Sequence, residues 1–241
     1  MKPVILFVTA NDTGVGKTIL AALLIRHFRA RGYRVAGLKP ISSGGRADAR
    51  RLRAAAGNGL TLDEVNPWHF GAPLAPLLAA RRAQRRVRLP EVVARIRRVA
   101  SRFDIAVVEG AGGLLSPLGE GFDSRDLLRA LRAVPVIACA NRLGAVNQAL
   151  LVLSALPRAK ARRAQIVLMR PARASAVSRA NPALLRELAR HARVHELPRL
   201  RRPEAWEAAC RRAPIRRTLD ALLRTLLHPL CCGSAALWLC V

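Results

Sequence analysis

Aromatic residues are scarce in this chain, with one Tyr, three Trp and five Phe among 241 residues. That scarcity argues against a nucleic-acid surface built on stacked bases. Lysine is scarcer still for so basic a protein: of 42 Lys and Arg residues four are Lys, which leaves 38 Arg. Acidic residues number 15, so the formal net charge is +27, and the stretch from Leu127 to Arg186 holds no acid at all. A surface so short of acid gains affinity for polyanions by releasing their counterions. The excess is nevertheless spread through nearly every helical stretch, so we expect some anion affinity at low salt and no specific nucleic-acid partner. Five Cys form an odd set without a CxxC pair, which excludes a disulfide framework and fits a reducing, cytoplasmic setting. His228, Cys231, Cys232 and Cys240 match no zinc spacing. No apolar run is long enough to cross a bilayer, the stretch from Ala235 to Val241 included, and Lys2 opens a strand-length run rather than a signal peptide.

What the chain has in quantity is apolar residues, 51% of the total, enough to bury a substantial core. They fall in short continuous runs at Val4 to Val8, Val35 to Leu38, Ile105 to Val108, Val134 to Ala140 and Ile166 to Met169. Such runs suit strands buried on both faces of a parallel sheet. Helical periodicity separates them, at Ile19 to Arg29, Ala47 to Ala56, Glu91 to Arg102, Asp126 to Arg132, Ala145 to Leu156 and Pro182 to Arg190. The pattern predicts one α/β domain, a single doubly wound, mostly parallel sheet flanked by helices. Its ligand site belongs at the carboxyl ends of the strands.

Three clusters fall at such ends. Asp12-Thr13-Gly14-Val15-Gly16-Lys17-Thr18, between a strand and a helix, reads as a phosphate-binding loop of the P-loop NTPase kind. Its glycines let backbone amides turn toward phosphate oxygens, Lys17 reaches the β/γ-phosphates, and the Thr18 hydroxyl suits Mg²⁺. Asn11 stands where the strict pattern has Gly. The second cluster, Lys39-Pro40-Ile41-Ser42-Ser43-Gly44, leaves Lys39 and Ser43 facing the site. Lys17 and Lys39 are two of only four lysines, and both are expected at strand ends, where a compact ammonium suits a phosphate or carbamate. The third, Glu109-Gly110-Ala111-Gly112-Gly113, offers a carboxylate for Mg²⁺ and glycine amides for an anionic intermediate. Asp48, in the first turn of its helix, is a further metal ligand or a residue favoured by the helix dipole.

Together with Asn66-Pro67-Trp68-His69-Phe70, Ala72-Pro73-Leu74-Ala75-Pro76 and Leu143-Gly144-Ala145-Val146-Asn147, these blocks resemble, in order and over residues 3 to about 200, the dethiobiotin synthase family. The resemblance implies an ATP-dependent ring closure in which 7,8-diaminopelargonate takes up CO₂ as a carbamate, the carbamate attacks the γ-phosphate, and the second amine closes a cyclic urea. It implies a homodimer, with Asn147 reaching across to the substrate carboxylate. Asp12, Gly14, Val15, Gly16, Lys17, Thr18 and Pro198 would bind nucleotide. Thr13, Lys39 and Ser43, with Gly112 and Gly113, would hold the carbamate, and Thr18, Asp48 and Glu109 would hold Mg²⁺. The domain so defined spans 1–228, and 229–241 is an apolar, Cys-containing tail of unassigned role.

This chain departs from that family at Ala10-Asn11, at His195 before the turn expected at Glu196-Leu197-Pro198, and at Met169, where an Asn usually reads adenine. A thioether cannot donate and accept as an amide does, which puts base selectivity in question. Three rivals remain. A partitioning ATPase of the same broad fold, binding nucleic acid or membrane, would carry a second loop lysine where Asp12 stands. A cobyrinate-type amide synthase needs a glutaminase domain for which 241 residues leave no room. An inactive synthase homologue is suggested by Met169 and opposed by Lys17, Lys39 and Glu109.

Overall fold

The computed structural model describes residues 2–200 and 206–227. The tail expected over 229–241, and with it Cys231, Cys232 and Cys240, lies outside the described residues, as does His228. Strand β1 (Val4–Ala10) runs through the glycine loop into α1 (Lys17–Arg29), then β2 (Val35–Leu38), β3 (Ile41–Ser43), α2 (Ala47–Ala55), α3 (Leu62–Val65), β4 (Trp68–Phe70) and α4 (Pro76–Arg82). Helix α5 (Leu89–Ala100) leads into β5 (Ile105–Glu109), followed by β6 (Pro117–Gly119), β7 (Phe122–Asp123), α6 (Ser124–Ala130) and β8 (Val134–Ala140). Then come α7 (Ala145–Ala155), α8 (Arg158–Ala161), β9 (Gln165–Met169), α9 (Ala176–Leu188), β10 (Arg193–Leu197), α10 (Trp206–Arg211) and α11 (Ala213–Leu227).

Among the described residues the main sheet has six strands in the order β10, β9, β8, β1, β5, β2, and every pairing in it is parallel. Side chains alternate between its two faces, as the period of two requires. Phe7, Ala106 and Val108 enter one core, while Leu6, Val8, Ile105 and Val107 enter the other with Leu20, Leu24, Leu219 and Leu222. Register places Val8 beside Glu109 and Ala10 beside Ala138, and Leu38 beside Val108. The loops after β1, β2, β5 and β8 therefore emerge at one edge of the sheet. This is the doubly wound α/β arrangement that the apolar runs predict.

Three details correct the sequence reading. Arg193–Leu197 is a sixth strand, β10, rather than an approach to a turn. Its polar residues hid it; the His195 imidazole lies 2.9 Å from Gln165 Oε1, which also accepts from Thr225 of α11. Lys17 is the first residue of α1 rather than a strand end. Helix α9 begins at Ala176, with Ser175 as its cap, and runs through Pro182. Proline at that position removes the amide that would bond the Ser178 carbonyl. The Asn141 side chain supplies the missing donor, its Nδ2 2.8 Å from Ser178 O. Asn181 in turn donates to Asn141 Oδ1 at 2.9 Å and to the Arg142 carbonyl at 3.0 Å. The helix break is thereby mended by amides that also fix the loop after β8.

Helix α11 closes the second core with Ile215, Leu219, Leu222 and Leu226, the i, i+4, i+7 spacing of an amphipathic face. Its Asp220 reaches the buried His27 of α1, whose Nε2 lies 3.1 Å from Asp220 Oδ1 while Nδ1 lies 3.1 Å from Arg31 Nη1. A ring that donates to a carboxylate and accepts from a guanidinium is neutral. Burial and the Arg31 charge, against the opposing pull of Asp220, lower the His27 pKa to about 4. Burial, with Arg186 and Arg193, likewise lowers that of His195 to about 4. Both histidines bind fewer protons in the fold than in the unfolded chain. Their contribution is thus present above about pH 6.5 and is lost as pH falls from there toward 4, on the order of 2 to 3 kcal/mol for each. Urea unfolding at pH 7.5, 5.5 and 4.5 is expected to show that decline. His195→Gln should flatten its slope; an unchanged slope would mean that the decline comes from other groups.

Candidate functional site

The loop between β1 and α1 turns on two glycines with positive φ, Gly14 at 74° and Gly16 at 104°. Side chains rarely adopt such angles. No described side chain caps the N-terminus of α1, so its first amides stand ready for an anion. Lys17 folds back over the loop, its Nζ donating to the Asp12 carbonyl at 3.0 Å, and is largely buried. Burial and the neighbouring Lys39, partly offset by Glu109, Asp48 and Asp12, bring its pKa down to about 8. An arriving phosphate would restore the full charge of this ammonium.

Lys39 follows β2 directly, and Glu109 ends β5. Lys39 is 4% exposed and Glu109 1%. The Lys39 ammonium lies 2.7 Å from both Glu109 Oε1 and the Gly110 carbonyl. Thr18 Oγ1 donates to the same Oε1 at 3.0 Å. Glu109 Oε2, equally buried, has no hydrogen-bond partner among the described residues. A buried carboxylate oxygen without a donor is costly, and a cation at this point would satisfy it. Asn66 Nδ2 donates to the Lys39 carbonyl at 2.6 Å, and Ser42 Oγ to Asn66 Oδ1 at 3.0 Å. The backbone carrying Lys39 is thereby held in place.

These groups line a cleft of about 760 Å³ with Thr13, Gly14, Gly16, Ser43, Asp48 and Gly112. Asp48, partly exposed on α2, lies 3.5 Å from Arg51. Ser43 Oγ donates to the Leu74 carbonyl at 2.6 Å. The Gly113 amide already donates to Ser116 Oγ at 2.8 Å, which leaves it less free for an anion than its neighbours. Among the described residues no three His, Cys, Asp or Glu side chains gather into a metal cluster. Thr18, Glu109 and Asp48 are a sparse donor set, suited to an ion such as Mg²⁺ that keeps waters and takes phosphate oxygens.

Other expected residues stand apart from the cleft lining. Asn147 is exposed on α7, between Leu143, 83% exposed, and Leu151, 59%. Pro198 follows β10, whose Leu197 pairs with Met169. Met169 lies over the phosphate loop: a Cβ on Gly16 would come within 2.9 Å of its methyl carbon. Two loop contacts escaped the sequence reading. Asn11 Nδ2 donates to Gln148 Oε1 of α7 at 2.5 Å, and Asp12 lies 3.6 Å from Arg142. The signal was Asn11 itself, an amide where a glycine was expected. Among the described residues Cys139 and Cys210 form no disulfide, and burial pushes the Cys139 thiol up to about 11. No described helix is long and apolar enough to cross a membrane.

An AAA domain family matches residues 5–205. The chain is 47% identical over 170 residues to the ATP-dependent dethiobiotin synthetase of Anaeromyxobacter dehalogenans strain 2CP-C, covering 68% of this chain and 76% of that protein. It is 37% identical over 211 residues to the enzyme of the same name from Ralstonia nicotianae, covering 84% and 92%. In fold it is similar to the hydrogenase maturation factor HypB of Archaeoglobus fulgidus, with a TM-score of 0.54 at 15% identity, covering 93% of this chain and 91% of that one. The MinC:MinD cell division complex of Aquifex aeolicus gives a TM-score of 0.54 at 16% identity, covering 94% and 95%. With a phosphate loop, a buried Lys39–Glu109 pair bonded to Thr18 and relatives of this identity, the chain belongs to the ATP-dependent dethiobiotin synthetases, a family of P-loop ligases.

Proposed function

We propose that the cleft converts 7,8-diaminopelargonate and CO₂ to the cyclic urea at the expense of ATP. One amine adds to CO₂ and loses a proton, giving a carbamate. A carbamate oxygen attacks the γ-phosphorus and ADP leaves; the second amine then attacks the carbonyl carbon, and phosphate departs as the ring closes. The buried Lys39, adjacent to the loop that carries Lys17, is the observation that carries this reading. A phosphate-transferring site needs a cation for the phosphoryl group, here Lys17. A second buried cation suits an acceptor that is itself an anion, as the carbamate is.

In this reading Lys17 holds the β- and γ-phosphates, with the amides of Gly14, Val15 and Gly16. Thr18, Glu109 and Asp48 would hold Mg²⁺, which would offset the charge of two anions brought together. Thr13, Ser43 and the Gly112 amide orient the carbamate. The exposed Leu143 and Leu151, flanking Asn147 on α7, support a homodimer in which Asn147 serves the partner's substrate. The base lies near Pro198 and Met169.

Lys17→Ala is expected to lower turnover by at least about 100-fold, since the charge it places on the transferring group is worth roughly 3 kcal/mol of barrier or more. Phosphate release and dethiobiotin formation, each measured with and without the diamine, check this. Activity near that of the unmodified enzyme would remove Lys17 from the reaction. Release that ignores the diamine would mark a partitioning-type ATPase instead.

Lys39 meets an anion that exists only after CO₂ addition, so Lys39→Ala should cut kcat by roughly 100-fold and change ATP affinity by less than about threefold. ATP binding by calorimetry alongside steady-state rates separates the two. Parallel losses would assign Lys39 to the nucleotide.

With Met169 at the expected base position, GTP and CTP should replace ATP with a penalty well below the ~10⁴-fold that a site of paired hydrogen bonds imposes. Met169→Asn is expected to sharpen the preference for ATP. Strict ATP selectivity in the unmodified chain, unmoved by the substitution, would leave base reading to backbone groups near Pro198 and Met169 to packing on Gly16.

A further inference from the structure

A second cavity, of about 170 Å³, lies outside the cleft and shares none of its lining residues; Glu64, Arg95, Arg98, Val99 and Arg102 surround it. Arg95 and Arg98 project from α5 and Arg102 from the turn after it, with the i, i+3, i+7 spacing that stacks side chains on one helix face. Three guanidinium groups here face one carboxylate. Glu64 is already engaged on both oxygens: Oε1 accepts from Arg102 Nη2 at 2.6 Å, and Oε2 accepts from the Thr61 amide at 2.8 Å as half of the capping box of α3. The nearby Asp63 carboxylate is held by Arg46 at 2.7 Å. Among the described residues Arg95 donates to the Asp63 carbonyl, at 3.3 Å, and its charge also acts on the Asp63 carboxylate. Among the described residues its buried Nε has no hydrogen-bond partner, and the Arg98 guanidinium forms no ion pair. The pocket thus carries three positive charges against one negative and has donors to spare.

We propose that this pocket is an anion site that takes a dianionic phosphoryl group through Arg95 and Arg98, with Arg102 shared between ligand and Glu64. Guanidinium forks match phosphate oxygens in pairs, and a buried Nε with no acceptor favours any ligand that supplies one. The size sets the class. Pockets for nucleotide-sized ligands start at roughly 300 Å³, so this one suits inorganic phosphate or the phosphoryl end of a small monoester.

The test titrates the full-length protein calorimetrically with inorganic phosphate, and separately with glycerol 3-phosphate, at ionic strength held constant with KCl. The main cleft is first filled with Mg²⁺ and a non-hydrolysable β,γ-imido analogue of ATP. One saturable site is expected, weakened about tenfold or more by Arg95→Met and by Arg98→Met and left unchanged by Arg81→Met, a charge loss elsewhere on the surface. Equal binding of both ligands identifies the phosphoryl group as the recognised unit, and tighter binding of inorganic phosphate identifies the free ion. Glu64→Gln retains the capping geometry and removes the only carboxylate in the lining, so it should tighten phosphate binding about threefold or more. That gain is a change no folding defect would produce. Absence of saturable binding, the same affinity in Arg95→Met and Arg98→Met as in the parent, or weaker binding in Glu64→Gln would overturn the assignment.

Discussion

The site depends on one buried ion pair, Lys39 with Glu109. Two opposite charges inside a protein repay their desolvation only when every remaining donor and acceptor is served. Here the Lys39 ammonium also meets the Gly110 carbonyl, and Glu109 also accepts from Thr18. The pair ties the exit of β2 to the end of β5, and through Thr18 it ties both to the first turn of α1. One carboxylate therefore sets the distance between the cation of the phosphate loop and the second cation of the cleft. Its other oxygen has no partner among the described residues. A fully satisfied pair would be structural; a pair with a spare buried oxygen is one that expects a further cation.

The six-stranded parallel sheet makes that pair possible. Register puts Leu38 beside Val108 and Val8 beside Glu109, so consecutive loops leave the sheet within a side chain's reach of one another. The phosphate loop, on the central β1, is then braced from its other side by β8 and α7. Asn11 bonds Gln148, and Asp12 lies near Arg142. The Arg142 carbonyl is in turn fixed by Asn181, whose amide belongs to the network that mends the proline break in α9. The position of the loop is thus set by packing on both flanks, and the departures at Ala10 and Asn11 sit where that bracing occurs.

The parts legible in the sequence are those whose physics is local. Apolar runs of strand length gave five of the six main strands, and the glycines, Lys17 and Thr18 disclosed the phosphate loop because phosphate binding needs those types at that spacing. Lys39 and Glu109 were legible as strand-end residues with chemistry to do. What escaped depends on distant partners. Strand β10 carries Arg193, His195 and Glu196, and it reads as a strand only once β9 lies beside it and Gln165 reaches its histidine. The start of α9 was obscured by Pro182, which leaves the Ser178 carbonyl without its helical donor; Asn141, 37 residues from Ser178 in sequence, supplies one. Contacts between Asn11 and Gln148, 137 residues apart, leave no periodic trace.

The division of labour between the two basic residue types follows from the same electrostatics. The Arg side chains that bridge to Asp104, Glu120 and Glu64 keep their charge at the surface. Three of the four lysines have part or all of the side chain out of solvent. Lys17 and Lys39 stand in the cleft, and Lys160 donates to the Ala133 carbonyl at 2.8 Å with its pKa lowered by burial. A guanidinium keeps its charge wherever it stands and needs acceptors for five N–H groups, whereas an ammonium is compact and gives up charge as burial deepens. In a chain with 38 arginines, lysine in the cleft is therefore a matter of fit. The space between Glu109 and Gly110 admits an ammonium bonded to both, and the loop around Lys17 gives that ammonium a single carbonyl, leaving its other donors for phosphate.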